Sequence, residues 1–302
     1  MKPASLQGYL VRRRAEVDAE LENILLPRVG RPAQLTRAMR YAVMGAGKRI
    51  RPILALAAAE AVGGTKARRR ALRPGCAVEM IHAYSLAHDD LPAMDDDDLR
   101  RGKPSLHRKF DEATAILAGD ALLTDAFGVL VPSRRRDAEE ADRCVRVVAE
   151  LASGAGSVGM VAGQVADMAA EGTARPTRRA VDDIHKRKTG ALIRAAVRAG
   201  AIAAGADAPQ LRSLTRFAES FGLAFQIVDD LLDETADVAV LGKAGGGDRE
   251  RGKATYPALL GIEGARAAAA RERKAAVRAL AGFGRGGEPL EAILDRVFAR
   301  AS

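Results

Sequence analysis

Between Asp89 and Arg101 the chain sets six carboxylates, Asp89, Asp90 and the run Asp95 to Asp98, beside two guanidiniums, Arg100 and Arg101, all within thirteen residues. Carboxylates this close raise one another's pKa, so the stretch needs either full solvation or a bound cation. Most charge runs are simply solvated. Here the flanks favour the cation. Val78, Met80, Ile81 and Leu86 lead in at helical spacing, and Ile116, Leu117, Leu122 and Leu123 follow, so the acids terminate core-forming segments. Pro92 lacks a donor N–H and clashes with the preceding turn, which breaks or bulges the helix between Asp90 and Asp95 and brings the acids together from two backbone directions.

A second acidic set lies far downstream. Gln226, Asp229, Asp230 and Asp233 stand at i, i+3, i+4 and i+7, one stripe of a helix whose other positions are apolar. Solvated stripes normally intersperse Lys or Arg for i,i+4 pairing, and this one has none. Two such clusters on apolar helices are expected to face one another, and hard oxygen ligands of this kind suit Mg²⁺, which keeps several waters and takes one or two carboxylates plus phosphate oxygens. An EF-hand calcium site fails, because neither cluster has the alternate-residue ligands, central Gly and terminal Glu.

Mg²⁺ held this way predicts a phosphate ligand, and the chain supplies cations for it. In Gly47-Lys48-Arg49-Ile50-Arg51-Pro52, Lys48 and Arg51 sit at a helix start, where free N–H groups also favour anions. The Gly-x4-Gly-Lys-Ser/Thr spacing of a P-loop is absent. Arg100 and Arg101 follow the first acids directly, and Lys188-Thr189-Gly190 with Lys243 and Lys253 complete the set. Any one basic pair is ordinarily surface charge. Together with two acidic clusters they describe a site for two diphosphates.

The elements that must position these groups read as helices throughout. Leu6 to Leu26, Ala33 to Met44 and Pro52 to Val62 come first, followed by a short basic helix ending at Pro74-Gly75. Cys76 to Asp90 delivers the first acids. Asp111 to Leu130, Asp137 to Leu151, Gly154 to Ala169, Thr177 to Ala203, Pro209 to Glu234, Pro257 to Ala281 and Glu288 to Arg300 complete the series. No period-2 run of β-branched residues competes and no solenoid repeat recurs, so the class is all-α. Residues 1–302 carry no Pro/Ser-rich linker and read as one domain. The one long loop, Gly242 to Thr255, holds Gly245-Gly246-Gly247 among Lys243, Asp248, Arg249, Arg251 and Lys253, and is expected to be mobile without ligand.

Composition narrows the class further. Hydrophobic residues make up 48% and aromatics only 4%, with no Trp, which favours close helix packing. Cys76 and Cys144 have no CxxC spacing, so neither a disulfide framework nor zinc is indicated, and a reducing cytoplasm fits. No apolar core follows Met1-Lys2, and no run is read as reaching the roughly 20 apolar residues that span a bilayer. The richest stretch, Ile53 to Val62, is interrupted by Glu60. A net charge of +9 raises nucleic acid, anionic lipid or phosphate-bearing ligands as partners. The clusters Arg12 to Arg14, Arg68 to Arg70 and Arg134 to Arg136 are scattered without aromatic interleaving, so nucleic acid is not expected.

These motifs resemble, in order and over nearly the whole chain, the trans-isoprenyl diphosphate synthases of the bacterial short-chain farnesyl type. The match is carried by Gly47 to Pro52, by Glu79-Met80-Ile81-His82-Ala83-Tyr84-Ser85-Leu86-Ala87-His88-Asp89-Asp90, by the first acidic motif with Arg100-Arg101-Gly102-Lys103-Pro104, and by Ala118-Gly119-Asp120. Gly163-Gln164, Lys188-Thr189-Gly190, the second acidic motif and Gly252-Lys253-Ala254-Thr255-Tyr256-Pro257 continue it. Ala46, where the family commonly has Gly, and the added charge of Lys186-Arg187 depart from the pattern without touching a ligand position.

The resemblance implies an antiparallel helical bundle with a deep central cavity, a cytoplasmic homodimer without a stable membrane anchor, and three Mg²⁺ ions between the acidic motifs. Asp89, Asp95 and Asp229 would be metal ligands, with Asp90 and Asp233 in or near the shell and Asp230 in the same catalytic set. Arg100, Lys188, Thr189, Gln226 and Lys243 would hold the allylic diphosphate, and Lys48, Arg51, His82 and Arg101 isopentenyl diphosphate, with Lys253 also among the substrate-binding residues. His82 stands seven residues before Asp89 on the same helical face, whereas His88, His107 and His185 read as structural. Tyr84 and Ser85 would form the floor that sets product length; at about 100° per residue Ser85 lies under Asp89 and Tyr84 is turned by roughly 140°.

The reaction implied is head-to-tail 1'-4 condensation to farnesyl diphosphate, with geranylgeranyl diphosphate as the alternative product. A class I terpene cyclase would lack the set Lys48, Arg51 and His82. A non-catalytic synthase subunit would have lost one acidic motif, and a basic nucleic-acid binder would show steep salt dependence.

Overall fold

The computed structural model describes residues 3–131, 137–170, 177–235 and 255–299. Helices α1 (Pro3–Ile24), α2 (Ala33–Met44), α3 (Ile50–Arg68) and α4 (Leu72–Asp89) come first. A two-residue hairpin, β1 (Leu99–Arg100) with β2 (Lys103–Pro104), and a short α5 (Leu106–Lys109) lead into α6 (Glu112–Leu130). Then follow α7 (Ala138–Ala155), α8 (Met160–Ala170), α9 (Arg178–His185), a π-turn (Lys186–Gly190), α10 (Ala191–Ala204) and α11 (Ala208–Thr235). After residues 236–254, α12 (Tyr256–Ala279) and α13 (Glu288–Phe298) finish the all-α bundle.

Local signals set several starts and stops. The side chains of Asp111, Asp137, Thr177 and Thr255 accept from the backbone N–H groups of Thr114, Glu140, Ala180 and Ala258, satisfying donors that helices α6, α7, α9 and α12 leave open. Gly205 closes α10 at φ +87°, a left-handed conformation that a Cβ disfavours. Gly63 and Gly64 interrupt α3 after Val62, and helical hydrogen bonding then resumes to Arg68.

The short basic helix expected to stop at Pro74-Gly75 does not stop there. A 3₁₀ turn, Arg69–Ala71, runs straight into α4, whose first turn tolerates Pro74 because that N–H would have no intrahelical acceptor. A Cβ on Gly75 would sit 3.2 Å from Pro52, so its absence lets α4 lie against α3.

The core is built from small side chains at close helix crossings. Ile53 to Ala59 of α3 are all buried, and α10 faces them with Ala196, Val197 and Gly200. Both helices contribute to two apolar clusters, one around α4, α6 and α7 and one around α11, α12 and α13. Helix α13 returns to α1, where Arg296 donates to Gln7 at 2.8 Å.

Sequence reading also understates the apolar stretches. Glu112–Leu130 and Ala138–Ala170 are long and apolar enough to cross a bilayer by length and composition, although a turn at 156–159 splits the second. Averaged hydropathy passes over the isolated acids that break a strict apolar run.

Candidate active site

Helix α4 carries the first acids to its C-terminal end. Beyond it the chain turns at Leu91 to Asp96, and the Asp95 N–H donates back to the Asp89 carbonyl at 2.8 Å, so the Pro92 segment breaks the helix as its chemistry requires. Asp89 and Asp95 are both half-buried. Burial pushes the Asp89 carboxyl up to about 6; Lys188 opposes that shift and neighbouring Asp95 adds to it. Asp90 points elsewhere: it is buried beneath Arg100, whose Nε donates to it at 2.9 Å while Nη2 also reaches Asp97 at 3.2 Å. The hairpin makes this return possible, with Arg101 and Gly102 both at positive φ in its turn.

The cationic half is organised by a carboxylate that the motif reading did not single out. Arg49, buried and at φ +52°, donates from Nε to Asp18 and from Nη1 to Glu79, each at 2.8 Å. A Cβ on Gly47 would stand 2.7 Å from an Arg49 nitrogen and 2.8 Å from one of Arg101, so the loop threads between two guanidiniums. Arg51 follows with its Nε buried and without a hydrogen-bond partner. Burial lowers its pKa, Glu79 and Asp229 oppose that, and Arg101 reinforces it. His82 is held well below its ordinary pKa by burial and by Arg51, Arg101, Arg100 and Arg49, so its ring is neutral at pH 7. Lys48 is exposed at the mouth of this group.

On the opposite wall the π-turn carries Lys188 and Thr189. Such turns insert a residue and re-aim side chains, and they recur at functional sites. Lys188 Nζ lies 2.5 Å from Asp167 on α8. Thr189 donates to Gln226 at 2.9 Å, and the Gln226 amide donates to Asp230 at 3.1 Å. Asp230 is buried, also accepts from the Tyr256 N–H at 3.0 Å, and lies 3.6 Å from His185. His185 stacks on Tyr256, whose hydroxyl donates to Asp182, and burial holds the imidazole down to about 4. The predicted stripe therefore divides: Asp230 anchors α11 to α9 and α12, while Asp229 is exposed and Asp233 half-buried.

Tyr84 is buried with its ring edge toward His88, 5.7 Å between centroids, and Ser85 donates to the His82 carbonyl at 3.0 Å. A cavity of about 400 Å³ opens between α2, α4 and the hairpin; Ala83, Leu86 and Ala87 line it, and Tyr84 and Ser85 do not. Lys243 and Lys253 lie outside the described residues.

The charge couplings thus link Asp89 to Lys188, Arg51 to Asp229 and His82 to four arginines across one site. Glu79, Asp18 and Asp167 are the additions. Glu79 had a signal, a carboxylate inside an apolar helix, and Asp167 likewise stands on the Gly-spaced segment. Among the described residues no three Asp, Glu, His or Cys side chains gather tightly enough to hold a metal alone. Mg²⁺ asks for less, since substrate phosphate and water fill most of its shell, and the half-buried Asp89 and Asp95 suit that role.

A model of the polyprenyl synthetase family matches residues 32–281. The chain is 45% identical to a farnesyl diphosphate synthase of Geobacillus stearothermophilus over 99% of both chains. It is 46% identical to a chloroplastic geranylgeranyl pyrophosphate synthase of Catharanthus roseus over 92% of this chain and 76% of that one. The apo crystal structure of an FPP/GFPP synthase from Zymomonas mobilis superposes with a TM-score of 0.84 at 36% identity, covering 97% of this chain and 98% of that one.

Proposed function

The chain belongs to the polyprenyl synthetase family, and from that premise we propose that it joins isopentenyl diphosphate head to tail to dimethylallyl and then geranyl diphosphate, releasing diphosphate and ending at farnesyl diphosphate. The supporting observation is the buried, unpartnered Nε of Arg51, a guanidinium that feels Glu79, Arg101 and Asp229 of the second acidic motif and whose charge in turn acts on His82. An unpaired buried donor costs about 1–3 kcal/mol, which a diphosphate oxygen would recover.

In this scheme Lys48, Arg51, His82 and Arg101 orient isopentenyl diphosphate, Arg100, Lys188, Thr189, Gln226 and Lys243 hold the allylic diphosphate, and Lys253 is a further substrate-binding cation. The family is metal-dependent. Three Mg²⁺ ions would be held through Asp89, Asp95 and Asp229, with Asp90 and Asp233 close by, and when bound would offset the charge developing on the departing diphosphate. The allylic C–O bond breaks with its electron pair leaving on diphosphate. The isopentenyl double bond then attacks the cation at C1, forming the C–C bond, and the proton lost from C2 passes to the released diphosphate. Thr189 directs its hydroxyl proton at Gln226, which leaves oxygen lone pairs to face the cation. Asp230 holds Gln226 in that orientation. Tyr84 and Ser85, which do not line the cavity between α2, α4 and the hairpin, would set product length as the floor of a separate path for the growing chain.

We further read residues 1–302 as one domain, because α3 and α10 feed both apolar clusters, and as a cytoplasmic homodimer. Ile116 and Leu117 on α6, and Val161, Val165 and Met168 at i, i+4 and i+7 on α8, present apolar surface that a second copy would cover.

The test is product analysis of purified protein with Mg²⁺, isopentenyl diphosphate and each of dimethylallyl, geranyl and farnesyl diphosphates. Products ending at fifteen carbons, abolished by EDTA, are expected. Extension of farnesyl diphosphate to twenty carbons would assign the geranylgeranyl product instead, and folded protein that condenses no primer would overturn the enzyme reading.

A further inference from the structure

At the other end of α4 from the acidic motif lies a second cavity of about 440 Å³, within the size range of small-ligand sites. Its rim carries Arg69, Arg70, Arg73 and Arg143 against two carboxylates, Glu20 and Glu140. Its floor is apolar, made by Leu72 at the start of α4, Leu130 at the end of α6 and Val147 on α7. Arg73 leans on Glu20 at 3.3 Å, and Arg143 pairs with Glu139. Arg69 and Arg70 have no carboxylate partner among the described residues. From Arg73 to Asp89 the rise of α4 is about 24 Å, so this cavity is separate from the candidate active site.

We propose that this cavity binds a phosphorylated hydrocarbon, its phosphate or diphosphate on the Arg69 and Arg70 guanidiniums and its chain over the Leu72, Leu130 and Val147 floor. Planar guanidiniums take phosphate oxygens in bidentate pairs. An inorganic anion would leave the floor uncovered, and a neutral lipid would leave the arginines unpaired. The same chemistry is found on soluble prenyl diphosphates and on the headgroup end of anionic lipids. Binding here goes beyond the condensation reading and requires no metal.

Cys144 lies on the cavity wall, half-buried, whereas Cys76 is fully buried with its thiol pKa pushed well up, so a thiol reagent reports on Cys144. In EDTA, farnesyl diphosphate is expected to slow Cys144 alkylation several-fold, while farnesol and inorganic diphosphate, added separately, do not. The double variant Arg69→Ala, Arg70→Ala is expected to weaken binding roughly tenfold, by alkylation and by equilibrium dialysis of labelled farnesyl diphosphate, with prenyl transfer at saturating substrate unchanged. Protection only by anionic-lipid vesicles would place the same chemistry on a membrane headgroup. Equal alkylation with and without every probe, protection by diphosphate alone, or undiminished dialysis binding by the double variant would overturn the proposal. A wild-type protein inactive in condensation would count against the earlier reading and leave these metal-free measurements standing.

Discussion

Glu79 is a single buried carboxylate whose field reaches Arg49, Arg51 and Arg101, so its removal acts on the whole cationic group at once. Breaking a buried pair from one side costs about 3–5 kcal/mol, with the lower end apt here because Asp18 still accepts from Arg49. Glu79→Gln is accordingly expected to lower unfolding stability by about 3 kcal/mol in denaturant titration, with the Km for isopentenyl diphosphate rising more than that for the allylic substrate. Titration offers an independent check. His185 has its pKa depressed from 6.5 to about 4, so the unfolded chain binds the extra proton and stability drains away as pH falls from about 6.5 toward 4. The loss between pH 7 and pH 5 is on the order of 2 kcal/mol. Asp89, raised from 3.8 to about 6, has the opposite sign: its protonated form favours the fold, and stability is lost as pH rises through that window. Melting curves of His185→Gln should therefore show a flatter acid limb than the wild type; an unchanged limb would count against a buried neutral imidazole.

Elements place these residues through close approaches. A Cβ on Gly163 of α8 would run into the backbone of Arg187 and Lys188 in the π-turn, so Gly163→Ala must push the turn away. A destabilisation of about 1–3 kcal/mol is expected by urea titration, with a fall in kcat as Lys188 and Thr189 move; normal kcat would detach the turn from the chemistry. Part of this was legible in the residues. Ala33–Met44 is legible to its observed ends because the helical pattern stops at Gly45-Ala46-Gly47, and Pro92 announces the break after Asp90. Pro74-Gly75 misled, since a proline in a first turn and a glycine at a helix crossing look like a stop. The π-turn left no local mark. Nor could the pairing of Arg49 with Glu79, which joins the loop before α3 to the middle of α4, be read from either segment alone.

For the whole molecule, the exposed row on α6 and α8 is the surface most open to test. Leu117 is 60% exposed, and Leu117→Arg is expected to leave the helical signal intact while abolishing the proposed self-association in sedimentation; an unchanged mass relative to the wild type would place any self-association elsewhere. Both acidic motifs were legible from sequence, but the closing of the bundle, with α13 laid against α1, was not, because Gln7 and Arg296 stand at opposite ends of the chain. That closure makes the backbone very nearly a ring. A circular permutant joining Ala299 to Pro3 through a short flexible linker, and newly opened in the exposed turn at Gly205, keeps every helix beside its present neighbours while changing which helices leave the ribosome first. Its melting temperature should stay close to that of the parent, whereas its refolding rate need not.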